Sequence, residues 1–98
     1  MSDTAVSEGR AALAAYDRAL AAKPSGDNHA FAETTQRLCA MRHLLIAKGR
    51  DPASRKQLET LNAVISSVLA GHFPLGGIPW PEVEHARHTL ADLVEQVG

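Results

Sequence analysis

Four stretches of the chain repeat their apolar residues at alternating steps of three and four, the spacing of one helix face. The first runs from about Thr4 to Lys23, with Val6, Gly9, Leu13, Tyr16 and Leu20 on one stripe and Ala12 and Ala19 widening it. Pro24-Ser25-Gly26 then ends it, because proline cannot continue a helix and glycine tolerates the turn. A second helix is expected from Asp27 or Asn28 to about Lys48, since either residue is a good N-cap. Its stripe is Phe31, Thr34, Leu38, Met41 and Leu45, with Leu44 alongside. Lys48-Gly49 fits a C-terminus, a cation in the last turn and glycine just past it.

Asp51-Pro52 restarts the chain. Asp51 can accept from the next free amides, and Pro52 suits the first helical position. The third helix is expected to place Leu58, Leu61, Ile65, Val68 and His72 on one face, broadened by Val64 and Leu69. The fourth is expected from about Pro81 to Val97, with Val83, Ala86, Leu90, Leu93 and Val97 in register and Glu82 and Glu84 near its positive end. No strand-like alternation competes. Four helices with short connections predict an all-α fold, an antiparallel up-down-up-down four-helix bundle, with residues 1–98 as one helical domain.

The link between the third and fourth helices breaks the polar habit of such connections. Gly71 to Pro81 carries Phe73, Leu75, Ile78 and the only tryptophan, Trp80, while Gly76-Gly77 permits a reversal and three prolines stiffen the segment. A solvated tether would not hold so many apolar groups. Either the segment plugs the end of the bundle, or Phe73, Leu75, Ile78 and Trp80 meet a partner. A small-molecule pocket beneath it is a third option.

Composition sharpens this expectation. The 98 residues are 45% hydrophobic, much of it alanine, which favours helix but adds little bulk to a core. A bundle so built gains from a second copy, so a homo-oligomer is expected. Charged residues make up 21% and the net charge is −1, so nothing in the whole-chain balance demands nucleic acid. Locally, Arg37, Arg42, Lys48, Arg50, Arg55 and Lys56 concentrate six of the ten basic residues. Arg50, Arg55 and Lys56 lie at the start of the third helix, where free amides also attract anions, making this corner a candidate anion or nucleic-acid contact. No aromatic residue interleaves with these charges for stacking, so a solvated face is the simpler reading. Met1 is followed by Ser2-Asp3-Thr4 rather than a signal pattern, and no apolar run approaches the ~18 residues a membrane span requires. With one cysteine, Cys39, no intramolecular disulfide can form, and a cytoplasmic setting without membrane contact is expected.

Catalytic and metal chemistry find little support. Glu82 and His85 have the Glu-x-x-His spacing of di-iron bundles, but the second such motif is missing: Asn62 follows Glu59 and Gln36 follows Glu33 where histidines would stand. Glu84, His85 and His88 should face outward if Val83 and Ala86 face inward. His88-Thr89-Leu90 shares the His-x-Leu of histidine phosphotransfer domains, yet the supporting lysine and glycine are absent and Asp92 would repel a phosphate. Cys39 lies inside a helix, away from any N-terminal dipole that would activate a thiol. His72, ending an apolar stripe, is the one histidine expected to be partly buried; a hydrogen-bonded structural role outweighs a charge switch there. No cofactor is expected. The reading is a small non-catalytic helical protein acting through protein–protein contact, a homodimer, with anion binding as the alternative.

Overall fold

The computed structural model describes residues 3–23, 25–49 and 51–97, and among them every regular element is an α-helix. They are α1 (Asp3–Ala21), α2 (Asn28–Lys48), α3 (Pro52–His72) and α4 (Trp80–Val97). α1 packs against α2 and α4, and α3 packs against the same two helices, a four-sided arrangement consistent with a bundle. It is elongated, 39 × 20 × 18 Å along its principal axes. None of these helices is long and apolar enough to cross a membrane.

The boundaries follow from local chemistry. The Asp27 carboxylate accepts from the Ala30 amide at 3.1 Å and caps α2. Asp51 does the same for α3 through the Ser54 amide, also at 3.1 Å, with Pro52 in the first turn. Hydrogen bonds from Ser54, side chain and then amide, hold the Asp51 carboxyl below its ordinary value, with Lys48 assisting. This cap is therefore present above the usual carboxylate range and lost as pH falls through the lowered value. Between α1 and α2, Gly26 adopts φ +81°, a conformation side chains resist. A Cβ there would also sit 2.6 Å from the Ile78 side chain, so the long loop packs directly over this turn.

The stripes of α2 and α4 are buried as expected: Phe31, Thr34, Leu38, Met41 and Leu45 on one, Val83, Ala86, Leu90, Leu93 and Val97 on the other. On α1 and α3 most of the expected face is buried, Val6, Gly9, Ala12, Tyr16 and Ala19 on the first and Leu61, Val64 and Val68 on the second. One edge of each expected stripe is turned outward. On α1 the centre of the interface is small, with Ala5, Gly9, Ala12, Ala15 and Ala19 buried beside Tyr16, while Leu13 and Leu20 are only half-buried. The reason is close approach: a Cβ on Gly9 would lie 2.6 Å from Val94 Cγ2 of α4 and 3.2 Å from Met41 Sδ of α2. On α3 the buried line is Leu61, Val64, Val68 and Gly71; Leu58, Ile65 and His72 sit half out and Leu69 is exposed. Here the missing side chain of Gly71 makes room for the Phe31 ring, whose Cε1 would be 2.7 Å from an added Cβ.

Tyr16 closes the ring of helices by donating its hydroxyl to the Val83 carbonyl at 2.6 Å. Thr34, the buried polar residue of the core, donates to the Ala30 carbonyl one turn back at 2.7 Å. Burial pushes the Tyr16 phenol above its ordinary value, because the phenolate would lose water without gaining a partner. A group raised in this way contributes stability that is intact below about pH 10 and declines as pH rises further. Tyr16 is the sole tyrosine, so an alkaline titration reads it directly. Tyrosinate absorbance is expected to appear together with loss of helix, later than for a free phenol; its appearance at the ordinary phenol value with helicity intact would contradict the burial.

Candidate functional site

The loop end of the molecule gathers its aromatic residues. Phe73 N donates to Leu69 O at 2.8 Å and ends α3, and Val83 N donates to Pro79 O at 3.0 Å as α4 begins. α4 thus starts at Trp80, one residue before the expected Pro81. The Trp80 ring leans against the buried Phe31 ring at 6.0 Å between centroids, and the Lys23 ammonium lies 5.7 Å above it. Lys23 also pairs with Glu84, so one cation ties the end of α1 to the start of α4. His72 stacks between Phe31, at 6.4 Å, and Phe73, at 4.1 Å. This is an aromatic support rather than the end of an apolar stripe.

The four apolar residues singled out from the sequence divide into two pairs. Ile78 and Trp80 are half-buried against the core and close the end of the bundle. Phe73 remains 67% exposed and Leu75 is completely exposed. With Ala70, Gly77 and Pro79 they line a shallow groove on the outside of the loop, and exposed Leu69 lies one turn back on α3. Ile78 and Trp80 thus cover the end of the bundle, while Phe73 and Leu75 of the same segment stay exposed.

The basic cluster is smaller than the sequence suggests. Arg37 pairs with Glu8 across α1 and α2, and Arg42 donates to Asn62 across α2 and α3. Lys48, Arg55 and Lys56 are exposed and make no ion pair among the described residues; Arg50 lies outside those residues. Asp51 already occupies the Ser54 amide, one of the free amides at the start of α3 that an anion would use. Glu82, Glu84, His85 and His88 all point outward on α4, as the inward positions of Val83 and Ala86 require. Among the described residues no three His, Cys, Asp or Glu side chains converge to hold a metal. Cys39 is exposed on α2.

Two further grooves run along the helices. One, between α1 and α4, has an apolar floor of Val6, Leu13 and Val94; Arg87 at its edge grips Asp17 through two hydrogen bonds of 3.0 and 3.2 Å. The other, between α3 and α4, is lined by small or uncharged groups, chiefly Ala63, Ser67, Ala86 and Thr89, beside His85. Sequence reasoning passed over this second groove because none of these residues carries a recognisable chemical signal. Comparison with family models, with curated proteins and with solved structures found no match for this chain.

Proposed function

We propose that the protein is a non-catalytic helical module that works by protein–protein contact, as a homodimer. The observation that carries this reading is the fully exposed Leu75 beside Phe73, on a loop whose other apolar residues are already engaged with the core. Exposed apolar surface grouped in this way is typical of contact sites. The bundle is taken to be antiparallel, up-down-up-down. Cross-helix pairs of opposite sequence sense support it: Glu8 with Arg37 and Arg18 with Glu33 between α1 and α2, Gly9 beside Val94 and Asp17 with Arg87 between α1 and α4. A cytoplasmic setting without membrane contact belongs to the same proposal.

Sedimentation across a range of concentrations tests it. Wild type is expected to associate, and Leu75→Glu to shift it towards monomer with its helix content unchanged. A wild type that stays monomeric at high concentration would end the reading. Anion or nucleic-acid contact through Arg55 and Lys56, with Arg50, is the second reading. It rests on the exposure of Lys48, Arg55 and Lys56 without ion pairs among the described residues.

A further inference from the structure

We draw no further inference here: the strongest candidate, the apolar groove between α1 and α4, carries none, because Asp17 already holds Arg87 at its edge, Arg10 shares its lining with Glu95, and nothing in the structure shows what covers it.

Discussion

Phe31→Ala is expected to cost about 3–5 kcal/mol, the largest loss of any single truncation in this chain. The ring is buried at the loop end and is the common contact of three neighbours. Trp80 leans on one part of it, His72 stacks beside it, and Gly71 of α3 presses close enough that only a hydrogen fits between. Gly71 cannot refill the space, and Trp80 is fixed by the first turn of α4. The cavity would therefore persist and its cost would not relax away. Against the ~5–15 kcal/mol that small domains commonly have, such a loss leaves much of the population unfolded at moderate temperature. Urea denaturation followed by circular dichroism measures it. A change below 1 kcal/mol would mean that the ring is not where α2, α3 and α4 meet.

Gly9→Val is expected to be the next most damaging, at about 1–3 kcal/mol, and it tests a sign as well as a size. In an exposed helix, replacing glycine removes backbone freedom from the unfolded chain, and alanine is favoured by ~1 kcal/mol. Here the first carbon alone would meet a branched valine on α4 at 2.6 Å, and the Met41 sulfur stands at 3.2 Å on the other side. Met41 can turn aside; Val94 cannot without moving α1 away from α4. That movement would stretch the Tyr16–Val83 hydrogen bond along the same seam. The melting temperature should fall by several degrees, roughly 4–8 °C per kcal/mol for a domain of this size. Gly9→Ala, with its propensity gain set against the smaller clash, should fall between valine and wild type. A stabilised Gly9→Val would show that α1 does not approach its neighbours this closely.

Much of this architecture was legible in the sequence where side chains announce themselves. Asp27, Gly49 and Asp51-Pro52 marked the ends of α2 and the start of α3 correctly, because capping is a local matter of one carboxylate and a few amides. The stripes of α2 and α4 were read correctly because large apolar residues fill them. The errors lie where small residues decide. Gly9 falls on the expected stripe of α1, but a glycine contributes nothing to an apolar pattern, and Gly71 lies outside the expected stripe of α3 although it is buried there against Phe31. Ala12 and Ala19, expected beside the stripe, are buried, whereas Ala5 and Ala15 carry no signal and Leu13 and Leu20, expected inside, are half out. The loop was legible as unusual, but not its division between Ile78 and Trp80 inside and Phe73 and Leu75 outside. That division depends on the cover Phe31 and the Gly26 turn provide, contacts separated by dozens of residues. The pairing of Arg87 with Asp17 was hidden for the same reason.

The chain has one tyrosine and one tryptophan, and the fold sets them at the same end. Tyr16 reaches the carbonyl of Val83, one turn along α4 from Trp80. Intrinsic fluorescence is therefore a local probe here, sensitive to the aromatic end and blind to the corner between α2 and α3. Opening that begins at Gly49 would leave both chromophores undisturbed, and an optical melt would then report a later event than amide exchange does.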